Sequence, residues 1–245
     1  MTVSSMLCLW MQKKSRINGW DGFFASLPEP ERSIIRFLSL IQTFPTLWTW
    51  LLLSLLRQRQ YLDCVPLPNS REAHGEPAPM SERSELRRRD PARLYIGCLP
   101  LPWHVRQLGR EGVKGIVNMC EEWNGWTQLY QSLGVEQCHL PTIDYCNVPA
   151  HHIRRGVDFI HRKISQGESV YVHCKSGVGR CAMVLVAYLA RHHMHMDVER
   201  ANVWARAHRR QIISNVAARP GVIEYLASVS SDGGPTEERA LQALS

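Results

Sequence analysis

Short apolar runs recur through the second half of the chain. Leu94–Ile96, Gly115–Met119, Val135–Leu140 and Val170–Val172 are each too brief for a helix and are closed by glycine, proline or polar residues, so each predicts a buried strand. Between them the apolar spacing changes to that of a helix. Val105–Gly109 and Gln128–Leu133 predict short helices, and Ala150–Ile164 a longer one with Ile153, Val157, Ile160 and Ile164 on one face. A further helix starts near Arg180, with Val184, Leu185, Ala187 and Tyr188 on its apolar side. Asp197 is placed to cap a helix reaching His208, and Pro220 to open a last one through Ala227. Strands alternating with helices predict an α/β fold with a largely parallel central sheet flanked by helices. Ligand sites in such sheets lie at the carboxyl ends of the strands, where this chain carries Cys174, Asp144 and the pair Glu121 and Glu122.

The pattern before residue 91 is different. Residues 1–33 form a leader whose first twenty positions contain no acid and include Lys13, Lys14 and Arg16, a composition shared by mitochondrial presequences and by unstructured leaders. Residues 34–60 hold an uncharged stretch, Phe37–Leu56, flanked by Arg36, Arg57 and Arg59. As a helix it is ~30 Å long, the thickness of a bilayer core, although Pro45 kinks it and Trp48 and Trp50 fall inside it. A membrane or interfacial anchor and a helix packed on the following domain are the two alternatives. Residues 61–90, with several prolines and the run SERSELRRRD, read as a linker whose arginines face lipid headgroups or only solvent. The folded domain is expected at 91–230 and a polar tail at 231–245.

Charge adds little to this picture. The 29 Lys and Arg against 22 Asp and Glu suit an anionic substrate or an anionic membrane. The eight cysteines contain no CxxC pair, so neither a zinc site nor a disulfide framework is indicated, and no cofactor or metal is called for. His192, His193 and His195 cluster at a helix end, where exposed histidines are ordinary.

The chemistry concentrates in VYVHCKSGVGRCAMVLVAY, residues 170–188. A strand, a turn bearing Gly177 and Gly179, and a helix start follow one another. Such a turn aims successive backbone N–H groups inward against the positive end of the helix, a cradle for an anion. Of the eight cysteines only Cys174 has an arginine six residues on, and it alone has the preceding strand, the glycines and the following helix. The helix end, the amides, Arg180 and Lys175 all favour its thiolate. Cys174 is therefore the expected nucleophile toward phosphorus, Arg180 the clamp on two equatorial oxygens, and Lys175, Ser176, Gly177, Val178, Gly179 and Arg180 the phosphate-binding loop. Asp144 is the candidate acid and then base: it ends an apolar run on a loop, whereas Asp90, Asp158 and Asp197 fall at a domain edge, inside a helix and at a cap.

The string HCKSGVGR resembles the HCxxGxxR signature of the cysteine-dependent protein tyrosine and dual-specificity phosphatases. This implies the cysteine-dependent phosphatase fold, a phosphocysteine intermediate and a mobile acid at the place of Asp144. The family usually has Ser or Thr after the arginine, hydrogen-bonded to the nucleophilic sulfur; here Cys181 stands there, a weaker donor that slows turnover or pairs with Cys174 under oxidation. Val178 stands where many relatives are polar. FPTLWTWLL, RLYIGCLPLP, GVKGIVNMCEEW, LGVEQCHLPTIDY and RPGVIEYL together resemble the mitochondrial tyrosine-phosphatase-like family. That resemblance implies removal of the terminal phosphate of phosphatidylglycerophosphate on the route to cardiolipin, at the mitochondrial inner membrane. The expected partners are a phosphorylated lipid or phosphoprotein and a membrane, with no nucleic acid. A dual-specificity protein or phosphoinositide phosphatase and a non-catalytic phosphate-binding protein are the alternatives.

Overall fold

The computed structural model describes residues 61–68 and 92–232. The expected leader, the apolar segment 34–60, most of the linker and the tail beyond Asp232 lie outside the described residues. Among the described residues no helix is long and apolar enough to cross a membrane.

Five strands form one sheet in the order β1-β2-β5-β3-β4: β1 Leu62–Val65, β2 Leu94–Gly97, β3 Val113–Cys120, β4 Glu136–Thr142 and β5 Ser169–His173. All neighbours are parallel except the β1–β2 edge pair. The helices are α1 Pro102–Arg110, α2 Thr127–Ser132, α3 Ala150–Ser165, α4 Arg180–His193, α5 Val198–His208 and α6 Pro220–Asp232. Asp197 caps α5 as its position predicts, accepting from the Arg200 N–H at 2.9 Å.

Alternation along the strands sorts side chains into two cores. Leu94, Ile96, Val170 and Val172 point into the larger core with α3 to α6, whereas Tyr95 and Tyr171 point into the smaller one with α1 and α2. Ile153, Val157 and Ile160 of α3 are fully buried there and Ile164 packs at its edge. Helix α4 is buried continuously from Arg180 to Ala190, because it lies between the sheet and the other helices rather than on the surface. It can therefore carry a charged residue in its first turn only where that charge is paired.

Two boundaries differ from the sequence expectation. Leu62–Val65, assigned to the linker, is the antiparallel edge strand β1, pairing Leu62 with Gly97 and Val65 with Leu94. Four residues set among prolines carry too little alternation to reveal a strand; its hydrogen-bonding partner lies some thirty positions on, ~10² Å of extended chain at most. The last helix runs past Ala227 to Asp232, and within it Ser228 and Ser230 return their hydroxyls to the helix carbonyls of Tyr225 and Leu226.

Candidate active site

Strand β5 delivers Cys174 to the carboxyl edge of the sheet, and the chain turns through Lys175–Gly179 into α4. The first four carbonyls of that turn are held from outside and the last by the helix it opens. Leu99 N–H donates to Lys175 O at 3.2 Å, Cys98 Sγ–H to Ser176 O at 3.2 Å, Arg209 Nε–H to Gly177 O at 2.8 Å, Ile213 N–H to Val178 O at 3.1 Å and Met183 N–H to Gly179 O at 3.1 Å. With its carbonyls turned out, a planar backbone turns its amides in. Gly177 N–H accordingly points at Cys174 Sγ, 3.3 Å away. Gly177 has φ +70°, and a Cβ there would lie 2.4 Å from the Gly97 carbonyl carbon, so a side chain is excluded twice over. Val178 packs against Tyr61 and Cys98 instead of facing the anion side.

Cys174 is buried and stands apart from the other thiols. The Cys181 thiol, 3.4 Å away, together with Arg180, holds the Cys174 thiol well below its usual value against the opposing effect of burial. Burial raises the thiols of Cys64, Cys120 and Cys138, and pushes Cys98 up to about 12. Burial and the contact with Cys174 likewise push Cys181 up, so Cys181 keeps its proton and donates it to the Cys174 sulfur. His173 is wholly buried, and burial drives its imidazole down to about 3. A neutral ring with Nδ1 3.4 Å from Cys174 O is a spacer beneath the loop rather than a base.

Arg180 opens α4 and is 2 % exposed. Its terminal fork is occupied: Nη1 and Nη2 donate to the two carboxylate oxygens of Glu122, each at 3.0 Å. Nη1 also donates to Thr142 O at 2.7 Å and Met119 O at 3.4 Å, which ties the guanidinium to the ends of β4 and β3. The Nε–H is buried with no protein acceptor. A buried charged donor at this depth calls for an acceptor such as an oxyanion, and Nη2, which serves Glu122 and Asp144, completes the fork expected of Arg180 only when one of these carboxylates yields its place. The sequence flagged Glu122 only as a residue near the site; its bidentate hold on Arg180 depends on the turn after β3 and has no local signature.

Asp144 follows β4 and meets two cations, Lys175 Nζ at 2.7 Å and Arg180 Nη2 at 2.9 Å. Burial opposes its ionisation, but Arg180 and Lys175 overcome it and hold the carboxyl below its usual value. The next residue, Tyr145, has φ +66° and returns its N–H to the Asp144 carboxylate at 3.2 Å, fixing the aspartate on a sharp turn. Cys174, Arg180 and Asp144 are thus brought together, with Lys175 turned toward Asp144.

Residues 94–227 match the family model of the dual specificity phosphatase catalytic domain. The chain belongs to this family. The phosphatase is 34% identical over 135 residues to phosphatidylglycerophosphate phosphatase PTPMT1 of Arabidopsis thaliana, a match covering 54% of this chain and 40% of that protein. It is 35% identical over 153 residues to phosphatidylglycerophosphatase and protein-tyrosine phosphatase 1 of Homo sapiens, covering 60% of this chain and 73% of that protein. A crystal structure of PTPMT1 aligns at 30% identity with a TM-score of 0.49, over 57% of this chain and 90% of that one. Its family thus places the chain among the cysteine-dependent phosphoric monoester hydrolases.

The contact between Cys174 and Cys181 carries a prediction for the phosphatase. Cys181→Ser puts a stronger donor on the departing sulfur and raises turnover roughly 5-fold, the worth of about 1 kcal/mol of added hydrogen bonding. Steady-state hydrolysis of p-nitrophenyl phosphate reads this. In peroxide, the Cys174 thiolate would displace hydroxide to give a sulfenic acid, which the Cys181 thiol would condense to a disulfide with loss of water. A 174–181 linked peptide is the expected product, and its absence by mass spectrometry removes the redox role.

Proposed function

We propose that this phosphatase removes the terminal phosphate of phosphatidylglycerophosphate to give phosphatidylglycerol, through a phosphocysteine on Cys174. The observation that carries the chemistry is the placement of the Cys174 sulfur, 3.3 Å from the Gly177 N–H and 3.4 Å from the Cys181 sulfur in the turn that leads into Arg180, whose buried Nε–H has no protein acceptor. The sulfur attacks phosphorus in line, and the P–O bond to the alcohol breaks. Arg180 and the amides of Lys175–Arg180 hold the equatorial oxygens while charge develops. Asp144 gives its proton to the leaving alkoxide. It then takes one from the water that cleaves the S–P bond, and Cys181 donates to the sulfur as it departs.

Asp144 must be protonated for the first of these steps, although its two cations favour the carboxylate. A phosphate dianion arriving on Arg180 supplies the remedy. It competes for the guanidinium and adds negative charge beside Asp144, and both effects raise the carboxyl's affinity for a proton. Asp144→Asn is expected to lower kcat about 10²-fold for an alkyl phosphate and far less for p-nitrophenyl phosphate, whose leaving group needs no proton. Equal losses on the two substrates would remove Asp144 from the acid role.

The choice of lipid is supported by the names of the Arabidopsis and human relatives and by the uncharged Phe37–Leu56 segment ahead of the domain. Their activity on this substrate, with the leader composition, leads us to place the phosphatase at the mitochondrial inner membrane. A phosphoprotein substrate is the alternative, favoured by the 32% identity over 127 residues to dual specificity protein phosphatase 26 of Homo sapiens. Wild type and Cys174→Ser assayed on vesicles of phosphatidylglycerophosphate, on phosphoinositides and on a phosphotyrosine peptide separate them. Faster turnover of phosphatidylglycerophosphate than of either other substrate supports the lipid assignment, and preferential peptide turnover overturns it.

A further inference from the structure

Behind the phosphate loop, on the side away from Cys174, lies a buried ion pair that the chemistry above does not use. Arg209, at the end of α5, is 1 % exposed and is the largest fully buried side chain among the described residues. Its Nη1 meets Asp63 Oδ2 of the edge strand β1 at 2.5 Å. The rest of the guanidinium faces the loop: Nε donates to Gly177 O at 2.8 Å, and Nη2 to Ser176 O at 3.4 Å. We propose that Arg209, anchored by Asp63, is a positioning residue that draws the Ser176 and Gly177 carbonyls backward and thereby aims the loop amides at the reacting phosphate.

The geometry follows from the rigidity of the peptide plane. The Ser176 carbonyl and the Gly177 N–H belong to one plane and point in opposite directions, as do the Gly177 carbonyl and the Val178 N–H. Pulling the first carbonyl onto Arg209 turns the Gly177 N–H onto the Cys174 sulfur, where it is found at 3.3 Å. Without that pull, the Gly177–Val178 plane loses its hold at Gly177 O and the Ser176–Gly177 plane keeps only the weaker thiol donor of Cys98, so a flip that places a carbonyl oxygen against the thiolate and the phosphate becomes easier. A guanidinium suits the task because it stays charged and donates to several acceptors in one plane, so two loop carbonyls and one carboxylate are held at fixed angles. Gly177 completes the fit, since a Cβ there would lie 2.8 Å from Arg209 Nη2.

Asp63 is the part supplied from farthest away in the chain. Its carboxylate neutralises a charge that is otherwise stranded inside the protein, and the indole N–H of Trp204 on α5, donating to Pro66 O at 2.9 Å, fastens the same segment. A buried ion pair adds little net stability over an apolar pair of the same shape, so packing alone does not account for one placed here. Residues just outside the catalytic domain matched by the family model thus reach the back of the phosphate loop.

The inference rests on Cys174 being the nucleophile, and its test separates the two. Arg209→Lys and Asp63→Asn are made in the full-length chain. The pH dependence of Cys174 alkylation by iodoacetamide, followed on the Cys174 peptide, reports the thiolate; kcat and KM on p-nitrophenyl phosphate report turnover; circular dichroism reports the folded fraction. Arg209→Lys keeps a charge but not the plane of donors. It is expected to raise the alkylation midpoint and to lower kcat of the folded protein about 10²-fold, with KM changing much less. Asp63→Asn moves both in the same direction by a smaller factor. A folded Arg209→Lys protein with wild-type midpoint and kcat overturns the proposal, as does a loss that tracks only the folded fraction. Should Arg209→Lys fail to fold, the isosteric Asp63→Asn decides, and an unchanged midpoint there overturns it equally. A low wild-type midpoint that Arg209→Lys raises, in a chain that hydrolyses no phosphate, would support the positioning role and fault the proposed reaction instead.

Discussion

Cys174→Ser is expected to lower phosphatase activity on the order of 10⁵-fold while leaving the fold and phosphate binding intact. The substitution exchanges one atom for a smaller one beside the Cys181 thiol and the loop amides, so packing is little disturbed. What it removes is the charge. The Cys181 thiol, Arg180 and the Gly177 amide favour the thiolate of Cys174, whereas a serine hydroxyl in the same place stays protonated at neutral pH. The serine variant therefore still offers the amides and the Arg180 edge to an oxyanion but has no nucleophile. Hydrolysis of p-nitrophenyl phosphate, with inorganic phosphate binding measured in parallel, checks the two halves of this expectation. The same electrostatics predict that the wild-type thiol is alkylated with a midpoint well below the ~8.5 of a free cysteine.

Arg180→Lys is expected to cost about 10³-fold in kcat, although the charge is kept. Arg180 does several things at once through a rigid plane. It satisfies both oxygens of Glu122, the carbonyls of Thr142 and Met119 and one oxygen of Asp144, and it still leaves Nε for a phosphate oxygen. An ammonium has three donors and no plane, so it cannot serve the carboxylates, the carbonyls and the phosphate together. The buried Glu122 carboxylate then competes with the substrate for the single positive centre. The loss should fall mainly on kcat, because the equatorial oxygens gain charge as the transition state forms, and a loss confined to KM would contradict this assignment.

Much of this site could be read from the chain because its parts are local. Cys174, the loop glycines and Arg180 lie within seven residues, and strand, turn and helix each carry their own signal of alternation, glycine and apolar period. Asp144 was legible for a different reason: it ends a strand whose carboxyl edge must face the site. What stayed hidden is what comes from distant sequence. Glu122 meets Arg180 from 58 positions away and Asp63 meets Arg209 from 146, and neither pair has a spacing that marks it. Strand β1 is hidden for the same reason, since its identity as a strand comes from pairing with β2 and not from its own four residues. The role of Val178 was misleading by type. It is an apolar residue in a phosphate loop, and only the packing against Tyr61 and Cys98 shows that its side chain faces away from the anion side.

The most direct test of the whole account is to catch the covalent intermediate. Wild-type phosphatase turning over a phosphomonoester is quenched in acid within its first cycles, digested and mapped by mass spectrometry. A single phosphoryl group on the peptide bearing Cys174, absent from the Cys174→Ser protein, is the predicted result. A phosphoryl group on any other residue, or undiminished turnover by Cys174→Ser, would contradict it.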